Sequence, residues 1–296
     1  NLDNYTVITS LGSPGSTSGT DLQGMQGNLS RNYALGSDID ASATASWNGG
    51  KGFDPIGIRE NPLEGNFHGL GHRITGLTIL RPSEAEVGLI GALGKNSRVS
   101  HLRLEDLTVE GERDVGGLVG FAVGEVVAGN SVGPSIRDAH VSGQVTGRYV
   151  TGGLVGSSSG SILRASTAGE IAQPGSGLSA ALGGIVGFQN SGYLLKDLFT
   201  TARVTGDREV GGIVGFNQGS IVNAFSTGVV TGNNKTGPIV GDGTGTVTNA
   251  FGRNVAGAYT QSTYGTKSGG TWSGFDFDDT WYSVDGSTLP MLRNQR

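Results

Sequence analysis

"VGGIVGFNQGSIVNAFSTGVVTGNNK" occupies residues 210–235, and its framework returns along the chain. Gly-Gly-Ile-Val-Gly stands at 183–187 and 211–215, and Gly-Gly-Leu-Val-Gly at 116–120 and 152–156. Val-Gly-Leu-Ile-Gly at 87–91 and Gly-Pro-Ile-Val-Gly at 237–241 are weaker copies. The boxes start at 87, 116, 152, 183, 211 and 237, so the intervals are 29, 36, 31, 28 and 26 residues. The shortest interval is the basic unit, and the longer ones are that unit with insertions. A fixed period of this length marks a repeat architecture.

Inside the unit starting at 211, β-branched residues fall in three short runs: Ile213-Val214, Ser220-Ile221-Val222 and Val229-Val230. Glycine and valine at this density argue against helical repeats, and the unit is too short for a four-stranded propeller blade. One turn of a parallel β-helix fits, each strand pairing with its equivalent one coil away at about 4.8 Å. The expected fold is all-β: a right-handed parallel β-helix (solenoid), three strands per coil, with capping segments. Three apolar columns follow. The first strand stacks Leu118, Leu154, Ile185, Ile213 and Ile239. The second stacks Ile136, Ile162, Leu195, Ile221 and Val247; the third stacks Val145, Ile171, Val204, Val230 and Ala256. One coil cannot bury its apolar edge alone, and stacking makes a continuous core. As one continuous domain, residues 1–64 read as irregular N-terminal coils and cap, 65–260 as the regular helix, and 261–296 as the last coil and a C-terminal cap.

Composition agrees. The chain has 296 residues with 55 Gly, 35% hydrophobic and 15% charged, which is short of apolar material for a conventional globule. Glycine without a strict Gly-X-Y period excludes collagen and implies many turns. The net charge of −5 is spread along the chain. No basic stripe is available to neutralise phosphates, so nucleic acid is not an expected partner. No apolar run reaches the ~20 residues of a membrane span. With no Cys, neither disulfides nor thiolate metal sites are available. No signal-peptide pattern stands at Asn1, so a mature segment or an excised piece is expected.

The box followed by "GSIVNAFSTGVVTG" (219–232) resembles the GLUG repeat. The upstream "YTVITSLGSPGSTSGTDLQGMQGNLSRNYALGSDIDASAT" (5–44) and "FHGLGHRITGLTI" (67–79) resemble the segment that precedes such repeats in filamentous-haemagglutinin-like exoproteins. The resemblance covers roughly residues 5–293. It implies an adhesin segment secreted by a two-partner system, hence an extracellular or cell-surface location and an outer-membrane transporter partner during secretion. It supplies no ligand and no catalytic residues, and related repeats also stand beside peptidase domains.

Several chemical patterns have structural explanations. "GSSSG" (156–160) matches Gly-x-Ser-x-Gly around Ser158, but a nucleophile elbow needs a strand-to-helix turn, and here the stretch aligns with "GFNQG" (215–219) between two strands. His68 and His72 are four residues apart without the helix and intervening Glu of a zinc motif, so His72 reads as structural. The carboxylates of Asp276, Asp278 and Asp279 offer hard oxygens for calcium, but no Gly-framed loop surrounds them and a solvated turn is expected. Three sequons, at Asn4, Asn28 and Asn234, are near what chance gives. Glycosidase chemistry needs paired carboxylates, and the aligned coils show no column with two acids near a base. No enzyme activity, cofactor or metal is expected. Two aromatic columns, Phe121/Phe188/Phe216 and Phe199/Phe225/Phe251 with His140 in register, read as packing.

Binding residues are sought where coils depart from the repeat. Four turns, "ERDV" (112–115), "RYVT" (148–151), "DREV" (207–210) and "NNKT" (233–236), place Arg113, Tyr149 and Arg208 in one register with Arg148 beside them, a column that the 172–182 insertion interrupts. Their competing explanation is a charge-paired edge that blunts lateral association. The coil starting at 116 carries ten extra residues between Gly120 and Ser135, and the coil starting at 152 carries five near 172–182. The candidate binding residues are therefore Glu125, Asn130, Ser131, Arg113, Arg148, Tyr149 and Arg208. The expected protein is a monomeric adhesion or binding rod for a host cell-surface glycan or protein, or a matrix polysaccharide. A host-protein capture module, for example one gripping a haem carrier, is the alternative. A polysaccharide-degrading β-helix enzyme is the third reading.

Overall fold

The computed structural model describes residues 4–175, 180–252, 274–283 and 290–293. Strands Tyr5–Ile8, Asn32–Leu35, Phe67–His68, Arg98–Gly116, Ser135–Gly147, Ser161–Ala172, Leu194–Thr200, Ser220–Ser226 and Thr246–Gly252 pair in that order, every pair parallel. They form a β-solenoid of about eight turns. A second parallel ladder runs through Ile90–Leu93, Val119–Ala122, Val155–Ser158, Val186–Gln189, Val214–Asn217 and Val240–Gly243.

The columns form as the repeat predicts. Ile136 pairs with Ile162, Ile162 with Leu195, Leu195 with Ile221, and Ile221 with Val247. The first four are at most 2% exposed, whereas Val247, in register with them, is 47% exposed. It is the last member of its stack among the described residues, so no described coil covers it. Val145, Ile171, Val204 and Val230 stack and are buried; Ala256 lies outside the described residues. The first column needs a correction. Leu118, Leu154, Ile185, Ile213 and Ile239 do stack, the N–H of each of the first four donating to the next carbonyl at 2.9–3.0 Å, but at a bend between two ladders and not in a strand.

The glycine box follows from that bend. A Cβ on Gly211 would stand 1.9 Å from the Val214 carbonyl oxygen, and one on Gly215 would stand 2.4 Å from the backbone nitrogen of Leu182 across the coil. Only hydrogen fits between backbones that close. Gly215 points inward, so its neighbour Phe216 points outward by strand alternation.

A further parallel strand runs through the segment read as an exposed turn: Val150–Gly152, Ala181–Gly183, Arg208–Gly211 and Asn234–Gly237 pair in sequence. The opposite corner is turned by residues in the left-handed region. His101, Asp138, Arg164, Asp197, Asn223 and Asn249, one per coil, all have φ between 51 and 55°. Asp and Asn tolerate that conformation better than most residues, which explains their recurrence there.

Candidate ligand-binding surface

The ten-residue insertion folds into an antiparallel hairpin, Glu125–Val127 with Asn130–Val132, closed by Ala128 and Gly129 at positive φ. Two positive-φ residues in a two-residue loop match the twist of the flanking strands. The hairpin stands off the coil: Val126 is 69% exposed and Val127 49%. Its foot is fixed. The Tyr193 hydroxyl, from the next-but-one coil, lies 3.3 and 3.1 Å from the carbonyl oxygens of Glu125 and Val132. Lys95 Nζ pairs with Glu125 Oε1 at 2.6 Å. Glu125 and Asn130 are exposed and Ser131 half-buried, so these three candidates share one projecting element.

The other four do not form one column. Arg113 and Arg148 each place a guanidinium 5.7 Å from the Tyr149 ring centre, close enough for cation–π attraction. The 180–182 segment pairs between that cluster and Arg208. Arg208 instead lies 3.4 Å from Glu209 and opposite Asn234. That rung belongs to the coil between theirs, so Arg208 stands two rungs from Tyr149.

Sequence reasoning missed a groove beside the hairpin. Two adjoining hollows, about 250 and 480 Å³, share Tyr5, Asn66 and Arg98 in their walls. Ser100, Arg137 and His101 line the first; Lys95, Ser135 and the hairpin foot at Val132 and Gly133 line the second. Register explains the assembly: Ser135 pairs with Arg98, and Ser100 pairs with both His68 and Arg137. The imidazoles of His68 and His101 stack at 4.8 Å and 3°. Burial first, and His101 second, hold His68 below the ordinary histidine pKa. His68 Nδ1 accepts the Leu70 N–H at 2.9 Å. Arg137 Nε donates to the Ser135 hydroxyl at 3.0 Å, and neither Arg98 nor Arg137 forms an ion pair among the described residues.

The left-handed corner corrects the expectation that no column holds two acids near a base. His101, Asp138, Arg164 and Asp197 succeed one another there. Arg164 grips Asp138 through two 2.7 Å hydrogen bonds, and His101 Nε2 lies 3.6 Å from Asp138. Asp197 Oδ1 accepts from Asn223 at 3.0 Å and from the Trp281 indole at 3.1 Å. Carboxylates engaged this way act as structural acceptors.

Ser158 is buried, and its hydroxyl lies 3.3 Å from both the nitrogen and the oxygen of Gly160, a turn contact repeated by Asn217 and Gly219. His72 Nδ1 lies 3.1 Å from Asp38. The Asp276 carboxylate accepts the N–H groups of Asp278 and Asp279 and the Thr280 hydroxyl, bonds that hold it below the usual carboxylate range. Among the described residues no cluster of three His, Cys, Asp or Glu could hold a metal ion. The aromatic columns divide. Phe121, Phe188 and Phe216 are not core: they are half-exposed on the outer face, with Phe188 on Phe216 at 5.3 Å and Ser157 between Phe121 and Phe188. Phe199 and Phe225 are buried under Phe275, Trp281 and Leu292, in a cluster outside the coil interior. His140 is in their register, hydrogen-bonded to Ser166 at 2.9 Å.

These features define the protein as a parallel β-helix with one furnished flank. A solved structure of the same architecture, described as a "putative immunoglobulin A1 protease" from Bacteroides ovatus, superposes on 98% of this chain and 92% of its own at a TM-score of 0.57 and 16% identity. That likeness concerns the fold alone. Halomucin of Haloquadratum walsbyi is 37% identical over 146 residues, 46% of this chain. A "Putative Gly-rich membrane protein" of Evansella cellulosilytica is 40% identical over 97 residues, 32% of this chain. The matched stretches span 2% and 11% of those two proteins. No family model matches the chain.

Proposed function

We propose that this chain is a surface-exposed binding rod, an adhesion segment of a secreted exoprotein that contacts a host glycan or protein, or a matrix polysaccharide, through its insertion hairpin and turns. The observation that carries this reading is the hairpin 125–132, an anchored and exposed departure from otherwise interchangeable coils. The resemblance of its boxes to GLUG repeats supports an adhesin-like exoprotein and secretion through an outer-membrane transporter. The names of the two relatives, Halomucin and a Gly-rich membrane protein, support a place at or outside the cell surface. A host-protein capture module is the second reading, favoured because the hairpin is a single distinctive loop. A peptidase role is the third, raised by the name of the Bacteroides ovatus structure.

Beads coated with the folded chain test the proposal against host cells and a polysaccharide matrix. Attachment above that of bare beads, reduced several-fold by excising 125–134, is the expected result. No attachment by the wild-type chain overturns the binding-rod reading. Attachment unchanged by the excision removes the hairpin from it.

A further inference from the structure

The groove beside the hairpin has a chemistry of its own. Its walls come from rows facing outward on neighbouring coils: Tyr5, Arg98 and Ser135 begin their strands, Asn66 stands just before Phe67–His68, and His68, Ser100 and Arg137 stand two residues further in, with the Asn32 coil between those of Tyr5 and Asn66. Hydroxyls, amides and guanidinium groups dominate these walls, and Phe67 lies fully buried beneath them. Such a lining suits a hydroxyl-rich ligand and offers little to an apolar peptide side chain. Arg98 and Arg137 bring two guanidinium groups without carboxylate partners, although the chain as a whole carries a charge of −5. Guanidinium forks match carboxylate and sulfate geometry with paired hydrogen bonds. The nearby acids are already engaged, Glu125 by Lys95 and Asp138 by Arg164. Each hollow is of the order of a small-ligand cleft, about 300–1,000 Å³, and their shared wall makes them a run along the flank, open at its sides.

From this arrangement we infer that the groove binds a stretch of acidic oligosaccharide, its carboxylate or sulfate groups on Arg98 and Arg137 and a sugar face against the Tyr5 ring. The inference rests on the binding-rod reading and names the ligand class of that flank. Polarity favours a saccharide over an apolar peptide. Among the described lining residues Tyr5 is the one Phe, Tyr or Trp ring that is not fully buried, which favours a saccharide over single-stranded nucleic acid, held by successive stacking platforms.

Calorimetric titration of the full chain at 150 mM salt tests it. The probes are a uronate hexasaccharide, a sulfated hexasaccharide, a neutral hexasaccharide and a single-stranded oligonucleotide of equal charge. Saturable binding of one or both acidic saccharides is expected, and the two arms tell carboxylate from sulfate. The neutral sugar and the oligonucleotide should bind at least tenfold more weakly. The double variant Arg98→Ser/Arg137→Ser should lose at least tenfold in affinity, while Arg203→Ser, which removes an exposed charge elsewhere, should lose less than twofold. Melting curves verify that both variants are folded, and if the double variant melts early, Arg98→Gln and Arg137→Gln are titrated singly. Imidazole NMR signals of His68 and His101 should shift on saturation. No binding of acidic saccharide, equal binding of the neutral sugar, tighter binding of the oligonucleotide, or indifference to the arginine substitutions overturns the inference. Bead attachment that persists alongside such a result leaves the binding rod standing without this ligand; loss of both removes the two together.

Discussion

Ile213 carries two burdens at once, because its side chain fills the coil and its backbone turns the corner. Its N–H donates to the Ile239 carbonyl at 2.9 Å, and the side chain is fully buried between Ile185 and Ile239. Ile213→Asp puts a carboxylate into that stack, at several kcal/mol unless it finds a partner, and the flanking coils have no slack. Loss of the cooperative thermal transition is expected in calorimetry; a melting temperature within a few degrees of wild type contradicts the inward assignment. Arg59 acts at the opposite extreme, on charge. Its guanidinium joins Glu86 at 2.7 Å and Asp114 at 2.9 Å, and lies 3.7 Å over the Phe121 ring. Burial pushes the Asp114 carboxyl above its ordinary range, and Arg59 is the foremost influence holding it down. A raised folded-state pKa means the folded protein holds that proton more tightly than the unfolded chain, so the cost of the buried charge is relieved as pH falls. Arg59→Met removes the counterion and should destabilise by roughly 1–3 kcal/mol at neutral pH, less at the low end because Arg59 is itself partly exposed. The deficit should shrink as pH falls through the carboxylate range. Denaturant titrations across that range measure it, and a deficit that grows toward acid refutes the assignment.

At the scale of one element, the hairpin is separable from the coil. Removing 125–134 joins Gly124 to Ser135 and restores the 26-residue unit. Gly124 and Gly133 both lie so close to Ser159 that a Cβ would meet its carbonyl oxygen at 2.3 and 1.9 Å, so the entry and exit of the loop are already seated on the next coil. The excised chain should keep its strand signal by circular dichroism and melt within about 5 °C of wild type, a shift of roughly 1–2 kcal/mol for a chain of this size. Collapse of the β signal would show that the hairpin, with its Tyr193 and Lys95 contacts, is needed to hold the coils in register.

Across the whole molecule, the described C-terminal residues pack on the row that carries Phe199 and Phe225, outside the coil interior. Trp281 is fully buried, donates to Asp197 and meets Phe275 at 4.6 Å, and this cluster covers Phe199 and Phe225 from two successive coils. Trp281→Ala should cost about 3–5 kcal/mol of local docking. In a solenoid whose repeats contact only their neighbours, that loss should free the segment without melting the coils. Hydrogen exchange should accelerate in 274–283 and around Phe199, with protection retained at Ile136 and Ile162. Unchanged protection of 274–283 would show that the indole does not hold the segment.

The repeat period and the polar or apolar character of each column were legible in the sequence, because parallel stacking places equivalent residues one above another and makes every coil state the same pattern. Leu195, Ile221 and Val230 could be placed inward from spacing alone. The corner glycines were visible as a motif, but their cause was not, since the contact of Gly215 with Leu182 crosses the coil. The flank lay beyond local pattern for the same reason. Tyr5, His68, Arg98 and Arg137 come from four coils, separated in turn by 63, 30 and 39 residues, and their meeting depends on the length of every intervening insertion. Arg208 and Tyr149 stand two rungs apart, with Ala181–Gly183 paired between them. The sequence determined the stack, because stacking energy repeats with the residues. The tertiary structure decided the surface, because side chains on different coils become neighbours only once register is set.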